Sequence, residues 1–396
     1  MPSVSRTSRY WTGALLLCSS EHNERVTSLA VPTAVLSRAR RVANDFRALT
    51  GVECDADAII AGRAGLLRQT PHDRISAGGA THLMRSRDGW CALTLSRPDD
   101  VDAVPALIEV DTVAGDPWPD VHRWVSERHA AEFTDRGRLL GLPVAALGES
   151  RARPPRRRAL GAATSGRAPS GLLVADLSAM WAGPLCGQLL ARAGATVVKV
   201  ESASRPDGAR SGPAEFFDWM NGGKLSYLVD FDDPSGLRSL LAAADVVIES
   251  SRPAAFARRG LAPEDVQPRD GRVWLRITGH GTDGERGNWV AFGDDAAVSG
   301  GLVRGSAAEP DFCGDAIADP LTGLEAAATV AQALRDGGGQ LVELSMSAVA
   351  ATYARLPRTD EISCSAAPPP SKRASALGAD NAAVERTVAE KLLAAC

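Results

Sequence analysis

GLLVADLSAMWAGPLCGQLLARAGATVVKVE, residues 171–201, reads as strand, loop, helix and strand. Leu172, Leu173 and Val174 form a short apolar run of the kind buried in a parallel sheet. Asp176 and Ser178 follow as polar turn residues, and Ala182-Gly183-Pro184 reads as a tight turn. Pro184 suits a first helical turn, where its missing N–H costs nothing. The spacing predicts a helix over Leu185–Arg192 that stops at Gly194, then a second β-rich run over 195–201 that ends in Glu201. A parallel βαβ unit puts its first loop at the carboxyl edge of the sheet, where open α/β folds bind ligands. A nucleotide-like ligand is therefore expected at that loop.

The rest of the chain sets bounds. At 396 residues, two domains are expected. Hydrophobic residues make up 44% and aromatics only 5%, so the core is built from Ala, Val and Leu. A net charge of -4 argues against nucleic acid as the main ligand. The seven cysteines (18, 54, 91, 186, 313, 364 and 396) form no CxxC pair, so neither a zinc site nor a disulfide framework is indicated, and a reduced cytoplasm is the expected location. Trp11–Cys18 is apolar but short and lacks a clear cleavage site, so it does not read as a signal peptide. No stretch approaches the ~20 apolar residues of a membrane span.

In chain order, residues 1–150 read as a smaller α+β unit. It holds helix candidates at Val31–Thr50, Asp55–Leu67 and Val121–Leu140, and a hairpin turning at Asp88-Gly89. Residues 151–170, rich in Arg and Pro, read as a solvated linker, with an anion-binding arm as the sharper alternative. Residues 171–350 alternate strands (Tyr227–Phe231, Asp245–Glu249, Arg272–Thr278, Leu341–Met346) with helices (from Asp233-Pro-Ser235, and Leu321–Leu334). That alternation predicts an α/β fold, a Rossmann-like doubly wound parallel sheet. Residues 351–396 read as a Pro/Ser/Ala linker and a last helix over Asp380–Ala395.

Chemistry narrows the ligand. A dinucleotide fingerprint needs GxGxxG in the first turn, and Trp181-Ala-Gly-Pro-Leu-Cys-Gly lacks it, which argues against NAD. Asp294-Asp295 and Asp315 with Asp319 are acidic clusters that could hold Mg²⁺ or simply cap helices. Pro320 at the first helical position would set the Asp319 carboxylate at a helix N-terminus, where its anion is favoured and can serve as an acyl-accepting nucleophile. His280, between two glycines at a strand end, is either structural or catalytic. There is no GxSxG, and no Ser/His/Asp arrangement can be assigned.

ADLSAMWAGPLCGQLLARAGATVVKVE resembles the opening motif of the type III CoA-transferases, the CaiB/BaiF family. The likeness continues in order through FFDWMNGGKLSYLVDF, ADVVIESSRPAAFARRGL, RVWLRITGHGTDGERGNW, DAIADPLTGLEAAATVAQAL and GGGQLVELSM, from about Gly171 to Met346. The resemblance implies a CoA-transferase that moves CoA from an acyl-CoA to a free carboxylic acid, with CoA as substrate and no permanently bound cofactor. It makes Asp319 of the D-x-x-x-G motif, completed by Gly323, the nucleophile of a covalent aspartyl-CoA route. It assigns CoA binding to backbone near Met180 and Ala182, and to Lys224 and Arg258. It also implies a homodimer. The chain departs from the family pattern at Leu225 and Ser250, where arginine and asparagine are usual. It departs again at Gly293, where the racemase branch carries a histidine. Racemisation of a 2-methylacyl-CoA and non-catalytic acyl-CoA binding are the alternatives. GGATHLMRSRDGWCALTLSRPDD and AAEFTDRGRLLGLPVAAL resemble the family's small domain, here placed before the nucleotide-binding segment, with Gly78-Gly79 near a glycine loop over the active site.

Overall fold

A computed structural model describes residues 29–69, 72–364, 366, 368 and 370–394. Trp11–Cys18 lies outside the described residues. The first elements are β1 (Leu29–Pro32), α1 (Thr33–Thr50), α2 (Ala56–Leu67), β2 (Thr81–Arg85), β3 (Trp90–Thr94), α3 (Pro98–Asp102), α4 (Val104–Leu107), α5 (Trp118–Ser126), α6 (Ala130–Leu139), β4 (Val144–Ala146) and β5 (Arg156–Ala159). Next come β6 (Leu173–Leu177), α7 (Ala182–Arg192), β7 (Thr196–Ser202), α8 (Ala214–Asn221), β8 (Leu225–Val229), α9 (Ser235–Ala243), β9 (Val246–Glu249), α10 (Pro253–Ala257) and β10 (Val273–Thr278). The chain then runs through α11 (Gly293–Ser299), β11 (Val303–Gly305), β12 (Pro310–Phe312), α12 (Ala318–Arg335), β13 (Gln340–Ser345), α13 (Met346–Ala354), β14 (Glu361–Cys364) and α14 (Asn381–Leu393).

The central sheet runs β5-β13-β10-β9-β6-β7-β8. Its six strands from β13 to β8 are parallel. Taken in chain order, they are arranged 3-2-1-4-5-6, the doubly wound order, with its switch point between β6 and β9. Alternation along each strand feeds two cores. Val174, Val197, Ile248, Leu275 and Val342 face the layer of α7 and α12. Leu173, Ala175, Val198, Val247 and Trp274 face the layer of α9 and α14. Among the described residues no helix is long and apolar enough to cross a membrane.

Several expectations change. The turn Ala182-Gly183-Pro184 is the first turn of α7, which Trp181 precedes at the N-cap position. Pro184 is tolerated there because a first-turn N–H has no partner within the helix. The helix expected over Val121–Leu140 is two, α5 and α6, broken at Glu127–His129. Within the expected 151–170 linker, β5 pairs antiparallel with β13. Its side chains stay exposed, and the anions its arginines meet are the protein's own, Asp283, Glu343, Asp336 and Glu264. Within 351–396, β14 pairs with β1.

The 1–150 unit also divides. The sheet β2-β3-β4 and the helices α3–α6 form their own core around Leu93, Val121, Phe133 and Val144. By contrast, α1 packs on α12 and α2 on α8, so both belong to the α/β layer. The small sheet reaches the α/β unit through α11 and β12, where Leu83, Ala92 and Ala145 bury against Val298 and Phe312.

Candidate active site

The loop after β6 is held by a buried polar network. Asp176, Lys199, Asp207 and Lys224 are all at most 4% exposed. Lys224 Nζ bonds Asp176 Oδ2 at 2.8 Å, the Pro184 carbonyl at 2.8 Å and Asn221 Oδ1 at 3.1 Å. Lys199 Nζ bonds Asp207 Oδ2 at 2.7 Å and also the Ser178 carbonyl. Asp207 Oδ1 in turn accepts the Met180 N–H at 3.0 Å, which fixes Met180 at a left-handed φ of 69°. Burial opposes ionisation of Asp176 and Asp207, but the two lysines hold both carboxylates below the usual range.

This corrects the role expected of Lys224. Its three donors are spent on the protein, so it shapes the loop instead of meeting a phosphate. Lys224→Met is expected to cost about 3–5 kcal/mol of stability, because it leaves Asp176 buried with a lost partner. Urea unfolding of the full chain measures this, and a wild-type midpoint would remove Lys224 from the network.

Glu201 has a similar inward role. It is buried, accepts the Asp207 N–H at 2.9 Å, and pairs with Arg210. Across the switch point, Ser250 Oγ accepts the Ala179 N–H at 3.3 Å, so the serine joins the loops after β6 and β9. Arg258 follows α10 at the same carboxyl edge and is exposed. Met180 is half-buried and Ala182 buried.

Asp319 enters from α12, which packs along α7. Asp319 and Gly323 lie one turn apart, hence on one face. The backbone N–H of Ala182 favours the Asp319 anion. A β-carbon on Gly323 would stand 2.7 Å from the Ala182 carbonyl oxygen and 2.8 Å from Leu185 Cδ2. The glycine therefore permits the approach that brings the carboxylate to the start of α7.

Asp319 is partly exposed, in the first turn of α12. Helix position does not decide its ionisation. Burial pushes its pKa up to about 7; Arg63 pulls downward, and Asp294 and Asp315 add to the rise. Against the expectation of a carboxylate kept ionised by the helix N-terminus stand burial and the neighbouring carboxylates, which raise its pKa.

The surrounding groups come from several elements. Arg63, on α2, bonds Asp315 through Nε at 2.8 Å and through Nη2. Its guanidinium sits 4.9 Å from the Trp181 ring centre and 5.7 Å from that of Phe216. Asp294, on α11, accepts the Ala316 N–H at 2.9 Å and the Thr81 hydroxyl at 3.3 Å. Burial and Asp315 push its pKa up to about 6. Asp295 accepts the Thr94 hydroxyl at 2.8 Å, and burial pushes it to about 8. The small sheet thus contacts the acidic start of α11 through two threonines. Gly78 lies beside Arg63: a β-carbon there would be 3.7 Å from Nη2.

Of the expected residues, Asp319 and Ala182 are brought together, Met180 lies in the adjoining loop, and Arg258 stands at the sheet edge. Among the described residues no group of three or more His, Cys, Asp or Glu is arranged to hold a metal. His280 is buried and edge-on to Trp289 at 5.4 Å; burial, then Arg138 and Arg286, push its pKa down to about 3, so it is neutral. Gly293 has no room for a side chain: its β-carbon would stand 2.5 Å from Asp319 Oδ2. Arg63 is the residue that motif reading missed. Its signal was a lone cation in the otherwise small and apolar run AIIAGRAGLL.

The chain is a doubly wound α/β protein with a carboxylate set close to the start of α7, in the loop region at the switch point. Residues 170–382, more than half of the chain, match the model of CoA-transferase family III, and the chain belongs to that family. It is 30% identical over 192 residues to the succinyl-CoA--D-citramalate CoA-transferase of Chloroflexus aurantiacus, covering 44% of this chain and 48% of that one. It is 30% identical over 203 residues to the succinate--glutarate CoA-transferase of Agrobacterium fabrum, covering 45% and 50%. A crystal structure of a CaiB/BaiF family protein from Brucella suis aligns at 27% identity with a TM-score of 0.43, covering 50% of this chain and 60% of that one. The chain spans about half the length of the curated relatives it matches.

Proposed function

We propose that this protein is a CoA-transferase that passes CoA from an acyl-CoA thioester to a free carboxylic acid through Asp319. The observation that carries the reading is Asp319 in the first turn of α12, which packs along α7, with Gly323 one turn on leaving room for the Ala182 carbonyl and Leu185. The matched relatives, each named as a CoA-transferase, support the same chemistry.

A carboxylate oxygen of Asp319 attacks the thioester carbonyl. The carbon–sulfur bond breaks, the thiolate leaves with the electron pair, and a mixed anhydride forms. The thiolate then attacks the aspartyl carbonyl, releasing the donor as its carboxylate and leaving an aspartyl-CoA thioester. The acceptor carboxylate attacks that thioester and expels the thiolate again. In the last step the thiolate attacks the acceptor's carbonyl in the new anhydride, and Asp319 returns as a carboxylate. No net proton is taken up or lost. Covalent participation divides one difficult transfer into easier ones.

Residues 171–350 act in this reading as the CoA-binding catalytic unit. Arg258 is exposed and suited to a CoA phosphate. The loop at Met180 lies against the ligand, shaped by the Lys224 and Lys199 network. Assembly as a homodimer belongs to the same proposal.

Hydroxylamine trapping tests it. The full chain is incubated with a panel of acyl-CoA thioesters and hydroxylamine, then digested and mapped by mass spectrometry. A hydroxamate on Asp319 is the expected result. Bound CoA with no adduct on Asp319 across the panel would favour non-catalytic binding, and α-proton exchange without CoA transfer would favour the racemase chemistry.

A further inference from the structure

The small unit grips α11 at both ends. At its start, Thr81 on β2 and Thr94 on β3 stand side by side, their hydroxyl oxygens 2.9 Å apart. The Thr81 hydroxyl reaches Asp294 Oδ2 at 3.3 Å, and the Thr94 hydroxyl donates to Asp295 Oδ1 at 2.8 Å. All four residues are buried. Asp295 Oδ1 also takes the Phe292 N–H at 2.9 Å, while its Oδ2 has no partner among the described residues. At the end of α11, the Gly148 N–H bonds the Val298 carbonyl at 2.9 Å, and the Ser150 N–H bonds the Ser299 carbonyl at 2.8 Å.

The other side of the same helix start touches Asp319. Asp294 Oδ1 accepts the Ala316 N–H at 2.9 Å, and the Ala316 carbonyl accepts the Asp319 N–H at 2.8 Å. Gly293 lies so close that a β-carbon on it would stand 2.5 Å from Asp319 Oδ2. Contacts therefore run without a gap from the two threonines, through Asp294 and Asp295, to the Asp319 side chain and backbone. A reacting group is held to its line of attack by neighbours that are themselves locked by packing and hydrogen bonds.

We propose that Thr81 and Thr94 are positioning residues, which fix the start of α11 through Asp294 and Asp295 and so set the Gly293 backbone against the Asp319 carboxylate. The proposal rests on the reading of Asp319 as nucleophile. It gives the small sheet, which precedes the family-matched residues 170–382, a part in the chemistry. The competing role is that of an anchor alone. The α/β unit also seats α11, at Gly300, where a β-carbon would stand 2.5 Å from the Ala351 nitrogen. That seat is at the far end of the helix from Gly293.

The test compares two double variants of the full chain. Thr81→Val/Thr94→Val keeps the branched shape that suits a strand and removes both hydroxyls. Thr81→Ser/Thr94→Ser restores them. The rate of hydroxamate formation on Asp319 is measured with a saturating acyl-CoA that traps in wild type, and CoA affinity by calorimetric titration. The valine variant is expected to trap about 10-fold more slowly or worse, with CoA affinity unchanged, and the serine variant to recover the rate. A folded valine variant that traps at the wild-type rate overturns the proposal. So does a loss of CoA affinity in step with the rate, or a serine variant no faster than the valine one. Amide hydrogen exchange over residues 292–299 and 316–323 needs no turnover and scores the clasp separately. Faster exchange in both stretches of the valine variant, reversed by serine, is expected; unchanged exchange over 316–323 overturns the clasp. If wild type forms no hydroxamate on Asp319 while exchange behaves as expected, the mechanical link stands and the transferase reading falls.

Discussion

Asp319→Asn is expected to lower CoA transfer by about 10³-fold or more, as for other covalent nucleophiles, and to leave equilibrium CoA affinity nearly unchanged. Asn keeps the size and shape of the side chain, so the packing of α12 on α7 survives. What disappears is the attacking oxygen anion. Steady-state transfer, measured with whichever acyl-CoA gives the trapped hydroxamate, and calorimetric titration with CoA check the two halves. A variant that turns over at the wild-type rate removes Asp319 from the chemistry.

The same residue sets a pH signature. Its pKa is raised to about 7, first by burial. Attack requires the anion, so kcat/KM is expected to fall as pH drops through about 7. For stability the sign is opposite. A carboxyl whose folded pKa lies above its unfolded value binds protons more tightly when folded, so acid favours the fold through this group. Its contribution is fully present below about pH 4 and is lost as pH rises through about 7. Asp319→Asn should therefore melt above wild type at pH 8, with the gap closing toward pH 4. A site that gains stability when its nucleophile is removed carries the strain expected of a functional carboxylate.

The central sheet was legible because its strands obey period and burial together. Residues 173–175, 246–248 and 273–275 are continuous apolar runs covered on both faces, and such runs read the same in sequence as in space. The D-x-x-x-G spacing was also legible, since i and i+4 share a helix face. Two kinds of information were not. Lys224 reads as a loop cation suited to phosphate, and only the partner Asp176, 48 positions away, shows that it points inward. Arg63 lies 252 positions from Asp315, and no local pattern encodes that meeting. Likewise, a helical period over 31–67 predicts α1 and α2 but not which core they join. Their packing on α12 and α8 is a tertiary choice, and it carries residues from a section expected in the small unit into the α/β layer.

Gly293 carries the second large expected effect. It opens α11 directly beside Asp319, and a β-carbon there would lie 2.5 Å from Asp319 Oδ2 and 2.7 Å from the Ala316 carbonyl carbon. The second of these is backbone, bonded through the Ala316 N–H to Asp294 and unable to swing aside. Gly293→Ala must therefore shift α11 or the start of α12. The overpacking is expected to cost about 1–3 kcal/mol of stability. The chemistry is expected to suffer more. A carboxylate displaced by about 1 Å from its line of attack loses roughly 10²-fold in rate, so transfer should fall by that factor even in the folded fraction. Gly293→His tests the racemase alternative in the same experiment. Its ring would begin from the same blocked β-carbon, so it is expected to lose transfer at least as severely and to gain no α-proton exchange. Deuterium incorporation into a 2-methylacyl-CoA measures that gain. Full transfer in Gly293→Ala would show that α11 does not hold Asp319 in place.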